Sequence, residues 1–456
     1  MTPNPPDIGG KGPGDVDFCV LRPPPVDANV VVLGAGLAGL SASYHLGGAA
    51  PIYEATQLCG GLAASREVQG FTFDFTGHLL HFRVPYCRAL VASLLGEELR
   101  THRRNAWIHL DGDRVKYPFQ ANLHDLPEAK RQECLDGFLA TRGQQTRSRN
   151  FEEWVRNHFG EGIARHFMLP YNSKLWRYPL DQMSCAWIDS LIPQPNAAEV
   201  IEGARGGTDR EFGYNIEFAY PQHGGIGRLA ESFAPSVGPI HYGARARRVD
   251  PERRVVEFDD GTTVEYETLV SSIPLPVLLR LLDPCPPEIK TAASQLVWNS
   301  IININLGLDG RLDHDVHWIY FPEAEYVFYR AGFASNICPG SVPAGKSSMY
   351  IEVSFRGENP HARPELERRV VADLGRAGLL DDPSRIELTD YNVLPFAYVI
   401  YDLRYGETTR ALHDYLLARG IHSIGRFGRW RYYSMEQTIL DGQQCAADIR
   451  SAVAVR

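Results

Sequence analysis

Three things this chain lacks narrow its function before anything it contains is considered. The eight cysteines include no Cys-x-x-Cys pair and no short Cys/His ligand spacing. A zinc site is therefore not expected, and the thiols read as reduced. No apolar run reaches the about 18 residues that a membrane span needs, and no basic-then-apolar signal opens the chain. Those absences predict a cytoplasmic protein with no membrane partner. Positive charge is also scarce, since 46 Lys and Arg against 55 Asp and Glu leave a formal charge of -9. That sign argues against nucleic acid as a partner, so an anionic ligand would need a local arginine site.

What is present reads as folded protein. At 456 residues and 44% hydrophobic, the chain exceeds what one core usually supports, and two or three domains are expected. Residues 1–26, dense in Pro and Gly, read as a flexible tail. From Ala28 an apolar strand runs to Leu33, followed by Gly34-Ala35-Gly36-Leu37-Ala38-Gly39, a helix-compatible segment and a second strand ending at Glu54. In such a unit Gly34 makes the tight turn, Gly36 admits a pyrophosphate, and Gly39 lets helix and strand pack closely. The N–H groups at Leu37 and Ala38 open the helix toward the phosphates, and Glu54 is placed for a ribose hydroxyl.

Between about 86 and 200 apolar residues recur three and four apart, predicting helices. Residues 241–274 read as a β-meander, and further strands follow at IININLGL, WIYFP, VFYRAGF, SSMYIEVSF and IELTDYNVL. A last strand, IHSIG, precedes a final helix from about Thr438 to Val455.

The segment Cys59-Gly60-Gly61-Leu62 resembles the glycine pair that amine oxidases and sugar mutases place beside their flavin, which implies FAD rather than NAD. Gly425-Arg426-Phe427-Gly428 resembles the element closing that site. Tyr117-Pro118-Phe119-Gln120, Tyr171-Asn172 with Trp176, Met183 with Trp187, Phe328-Tyr329-Arg330 and Trp430-Arg431-Tyr432 stand in the order found in the UDP-galactopyranose mutase family, especially its eukaryotic branch. The resemblance extends from residue 29 to 449 and implies a Rossmann-like α/β FAD-binding fold with a helical insertion and an antiparallel-sheet substrate domain. It divides the chain into an FAD-binding domain (27–85, 222–290 and 418–456), a mainly helical domain (86–103 and 121–204) and a substrate domain (104–120, 205–221 and 291–417).

The activity implied is a non-redox pyranose/furanose isomerisation of UDP-galactose or another nucleotide sugar. In it, N5 of the reduced flavin attacks the anomeric carbon and an external reductant such as NAD(P)H keeps the flavin reduced. Carried over by motif, Arg330, Tyr320, Tyr398 and Tyr432 would hold the diphosphate. Tyr117, Phe119, Gln120, Tyr171, Asn172 and Trp176 would receive the base, Asn215 the sugar, and His78 would stand beside the flavin. Leu62, Arg104, Val249, Gly425, Arg426 and Gln437 would complete the cofactor site with Gly60 and Gly61. Taken singly, Phe119 and Trp176 fit a core position as well, and His78 a structural one.

The sequence departs from the family at three places. Leu191 stands where a second pyrophosphate arginine is expected, with Arg177 as the candidate substitute. The run His223-Gly224-Gly225-Ile226-Gly227-Arg228 and Glu436 also differ, leaving sugar and base unassigned. Two alternatives remain open: a redox flavoenzyme of the amine oxidase or protoporphyrinogen oxidase class, and a non-catalytic FAD-binding protein.

Overall fold

The computed structural model describes residues 23–143, 147–188, 191–206 and 216–455. A five-stranded parallel sheet has the order Ile421–Ser423, Thr268–Ser271, Val30–Leu33, Ile52–Glu54, Ile240–Tyr242. Val30–Leu33 is central and buried at every position, as a parallel strand covered on both faces must be, which is why it reads as an unbroken apolar run. The helix that follows, Leu37–His45, is buried along its whole length. The C-terminal helix Met435–Ala454 packs on it through Gly442, where a Cβ would stand 2.6 Å from the Ala38 carbonyl oxygen. The end of the chain is thereby brought onto its first turn.

A seven-stranded sheet lies beyond, in the order Ile386–Val399, Trp298–Leu308, Ser347–Phe355, Arg330–Gly332, Trp318–Tyr320, Ala106–Leu110, Asp113–Lys116. Its pairings are antiparallel except between Trp318–Tyr320 and Ala106–Leu110. The helices Glu128–Ala140, Phe151–Ile163, Leu169–Trp176 and Ala197–Arg205 form the helical part.

Three expectations change. Leu99–Arg103, placed among the helices, is a strand paired with Glu217–Pro221, because a partner remote in sequence supplies hydrogen bonds that local periodicity does not reveal. The meander keeps only Ala246–Asp250, Val255–Phe258 and Thr263–Glu265, while Ile240–Tyr242 and Thr268–Ser271 join the parallel sheet. The end of the tail is packed: the Val26 amide donates to the Leu46 carbonyl at 3.2 Å, and Arg450 donates to the Pro24 carbonyl. Residues 1–22 lie outside the described residues. Among the described residues the seven cysteines are free thiols, no group of side chains could hold a metal, and no helix is long and apolar enough to cross a membrane.

Candidate active site

A cavity of about 560 Å³ runs from the first glycine turn to the large sheet. At the turn, Gly34 adopts φ +94°, Gly60 φ +108° and Gly61 φ +60°, all in the left-handed region that favours glycine. The Gly60 amide donates to the Ala35 carbonyl at 2.7 Å, so the two glycine segments lie side by side. A Cβ at Gly36 would meet nothing within 4 Å. That open space at the start of Leu37–His45 is a cradle that fits a pyrophosphate. Glu54 is oriented by the turn itself, accepting from the Ala35 amide at 2.9 Å and from the Thr56 amide and hydroxyl at 2.8 Å.

Gly34, Gly36, Leu37, Ala38, Glu54, Gly60, Gly61, Leu62, Gly425, Arg426 and Gln437 all line this cavity. Gly39 packs beneath it against Gly34, the helix-to-strand contact expected of the third glycine. Gln437 has a second task, closing a capping box with Ser434 at the start of the last helix.

At the opposite end the same cavity is lined by His78, Tyr320, Arg330, Tyr398 and Tyr432. Arg330 faces Glu352 across adjacent strands. Its Nε and Nη2 donate to that carboxylate at 2.9 and 2.6 Å, and the Tyr329 hydroxyl donates to it as well. Glu352 occupies the side-on edge of the guanidinium, leaving the end-on edge for a ligand. Arg426 donates to the Tyr433 and Ala397 carbonyls at 2.9 and 3.1 Å and lies 4.3 Å from the centroid of the Tyr432 ring, which stacks on Tyr398.

Burial, reinforced by Arg426 and Arg330, pushes the His78 imidazole down to about 4. Burial raises the phenols of Tyr320, Tyr350 and Tyr398 above their ordinary range. At neutral pH this end therefore presents two fixed guanidiniums, an uncharged imidazole and neutral phenol donors.

Several residues stand elsewhere than expected. Tyr117, Phe119, Gln120, Tyr171, Asn172 and Trp176 do not line the cavity but form a layer behind it. Tyr117 and Tyr171 contact Tyr320 at 5.3 and 5.2 Å between ring centroids, and Trp176 contacts Tyr398 at 5.6 Å. Phe119 stacks on Phe167. Gln120 donates to the Pro193 carbonyl at 2.5 Å, and Asn172 accepts from Trp176 Nε1 at 2.9 Å. The polar groups of Gln120, Asn172 and Trp176 are thus engaged internally.

Arg104 is one ring removed from the cavity, its guanidinium 4.9 Å from the Tyr117 ring centroid. Val249 is fully buried, its carbonyl accepting from the Asp283 amide, and it does not line the cavity. Arg177 is a correction. It caps its helix in the left-handed region at φ +50° and lies in a separate groove, its Nε donating to the Ser354 carbonyl at 3.1 Å. Asn215 lies outside the described residues.

Tyr350 and Ser272, which line the cavity, and Glu352 behind it belong to none of the motifs that mark the site in the sequence. A single carboxylate inside the apolar run SSMYIEVSF was the available signal for Glu352. Leu191 does line the cavity, and Glu436 does too, accepting from the Arg83 and Val84 amides at 2.8 and 2.9 Å.

Comparison with known proteins agrees with this geometry. A solved structure of reduced UDP-galactopyranose mutase is 28% identical, with a TM-score of 0.88 over 94% of each chain. A protein assigned as a protoporphyrinogen oxidase, from Exiguobacterium sp. 255-15, shares the fold at 18% identity and a TM-score of 0.73, over 94% of this chain and 100% of that one. Putrescine oxidase does so at 19% identity and a TM-score of 0.61, with the same coverage. The model of the flavin-containing amine oxidoreductases matches residues 37–450, so the chain belongs to that family and takes FAD as its cofactor.

Proposed function

We propose that this flavoprotein is a nucleotide-sugar mutase, which interconverts pyranose and furanose forms of UDP-galactose or a similar nucleoside diphosphate hexose without net oxidation. The guanidiniums of Arg330 and Arg426, which line the substrate end together and set a positive field beside a His78 kept uncharged mainly by burial, carry the reading. That field opposes a protonated amine and favours a diphosphate. The whole-length likeness to a reduced UDP-galactopyranose mutase supports the same choice.

When bound, reduced FAD supplies the electron-rich nitrogen that displaces the diphosphate from the anomeric carbon. The chain's part is to hold what leaves. Arg330, fixed by Glu352, offers its end-on edge to the diphosphate, while Tyr320, Tyr398 and Tyr432 donate from their hydroxyls. The raised phenols of Tyr320 and Tyr398 keep their protons and remain donors throughout. His78, uncharged at neutral pH, can exchange a hydrogen bond with a sugar hydroxyl without repelling either guanidinium. Tyr117 and Tyr171, half-buried beside Tyr320, are the members of the aromatic layer best placed to receive the base. NAD(P)H is the proposed reductant and the cytoplasm the proposed location. The three sequence domains are proposed to correspond to the two large sheets and the helical layer.

The test incubates dithionite-reduced protein with a panel of nucleotide sugars. A product of unchanged mass, formed without oxygen consumption, is expected. In a parallel incubation of the oxidised protein in air, without dithionite, loss of two hydrogens with oxygen consumption would instead identify an oxidase. Leu191 favours one further reading, an FAD-binding protein without turnover, which the same assay would reveal as unchanged substrate across the panel.

A further inference from the structure

A second cavity, of about 1240 Å³, shares no lining residue with the flavin cleft. The helices Leu275–Leu281 and Pro287–Ala293 form one wall. The end of Ser347–Phe355 and the loop through His361 form the other, and Arg177 reaches in from the end of Leu169–Trp176. Four exposed cations meet here: Arg177, Arg280, Lys290 and Arg356.

The surrounding charges make this concentration unusual. Asp283, the carboxylate in the lining, is engaged by Arg248 at 2.8 Å. Among the described residues none of the four cations has a carboxylate partner. Arg363 and Arg369, on the helix Arg363–Arg376 that follows His361, are each paired on that helix, with Glu367 and Asp373. In a chain with a formal charge of -9, four cations that line one groove without a carboxylate partner repel one another unless an anion joins them.

Two of them are held in place. Arg177 donates to the Ser354 carbonyl at 3.1 Å, and the Arg356 guanidinium lies 5.0 Å from the centroid of the Tyr178 ring. Between the cations the floor is apolar, with Leu279, Leu296 and Trp298. Walls on both sides suit a compact ligand better than a polymer, and charged rims around an apolar floor are the composition of a small-molecule site.

We propose that this groove binds a phosphoanhydride joined to a planar or apolar group, with the phosphates on Arg177, Arg280, Lys290 and Arg356 and the ring over Trp298 and its leucines. A site of this kind is separate from the flavin cleft and stands whether or not the protein is a mutase.

The experiment measures binding of pyrophosphate and of ADP to FAD-saturated full-length protein by calorimetry, in the wild type, in Arg280→Glu/Lys290→Glu, and in Arg330→Ala. Pyrophosphate binding that survives Arg330→Ala but weakens at least tenfold in the double charge reversal is the expected result. ADP is expected to bind more tightly than pyrophosphate in the wild type. Flavin content should be unchanged in the double variant and its melting temperature no lower, since both side chains are exposed and the reversal relieves the repulsion among the cations. Should that variant misfold, Arg356→Ala replaces it, with a several-fold weakening expected, and should Arg330→Ala misfold with Glu352 left unpaired, Arg330→Met/Glu352→Leu takes its place. Binding abolished by Arg330→Ala, binding indifferent to the groove substitutions, or ADP no tighter than pyrophosphate would each overturn the proposal.

Discussion

A carboxylate with no solvent exposure, such as Glu352, is tolerated only if its charge is met on the spot, and here Arg330 and Tyr329 meet it. Removing one member of a buried pair leaves the other uncompensated, at a cost of about 3–5 kcal/mol. Glu352→Ala is therefore expected to lower stability by that amount in denaturant titration, and to free Arg330 from its orientation. Glu352→Gln keeps the shape and part of the hydrogen bonding that orient Arg330 but removes the negative charge beside it, so it should retain the fold at some cost in stability and tighten diphosphate binding. A negligible stability loss in Glu352→Gln beside a large one in Glu352→Ala would count against the charge argument, since both variants leave Arg330 without its counter-charge. Leu191 permits the reverse experiment, because it lines the cleft where the sequence comparison expects an arginine. If a diphosphate is the ligand, Leu191→Arg should tighten UDP binding by about 1.5–3 kcal/mol, roughly ten- to a hundredfold. An unchanged dissociation constant would place the phosphates elsewhere. Arg330 could be singled out from sequence because a charge inside an apolar strand demands a reason. The direction of Arg177 could not, since a left-handed helix cap turns it away from the aromatic residue next to it.

At the scale of elements, the glycine turn was legible in sequence because each of its glycines serves a backbone constraint that no other residue meets as well. The helical layer was less so. Phe119, Gln120, Asn172 and Trp176 are suited by type to binding a base, but their burial and internal hydrogen bonds follow from how Leu169–Trp176 packs, which no local pattern encodes. Two glycines separate binding from packing. Gly36 has open space where its side chain would go, whereas Gly442 is closed off by the Ala38 carbonyl at 2.6 Å. Gly36→Val should therefore leave the far-ultraviolet circular dichroism intact and strip the flavin absorbance from the purified protein. Gly442→Val should push apart Leu37–His45 and the last helix, losing helical signal and flavin together. Flavin retained in Gly36→Val would mean that the phosphates do not approach that turn.

For the whole molecule, the buried histidines set the response to acid. Burial pushes His45, His78 and His317 down to about 4. A lowered imidazole pKa means that the unfolded chain takes the proton first. The stability involved is full above pH 6.5 and is lost as pH falls toward about 4. Asp74 runs the other way: burial raises it to about 6, so its contribution is full below its ordinary pKa and is lost as pH rises through 6. Three losses against one gain predict net destabilisation by these groups between pH 6.5 and 4. His45 isolates the effect, being remote from the substrate end. Its Nδ1 donates to the Ser41 carbonyl at 2.7 Å and its Nε2 accepts from the Tyr86 hydroxyl at 2.6 Å. That is a neutral tautomer with both nitrogens occupied, and the Arg450 guanidinium on its own carbonyl further opposes a proton. His45→Gln should be less stable than the wild type at pH 7, where the neutral imidazole's bonds are lost. The gap should then narrow by about 3 kcal/mol on acidification to pH 4, because the variant no longer carries a group that resists protonation. Unfolding of FAD-saturated protein followed at both pH values measures this directly, and a gap that stayed constant would show that folding does not lower the His45 pKa.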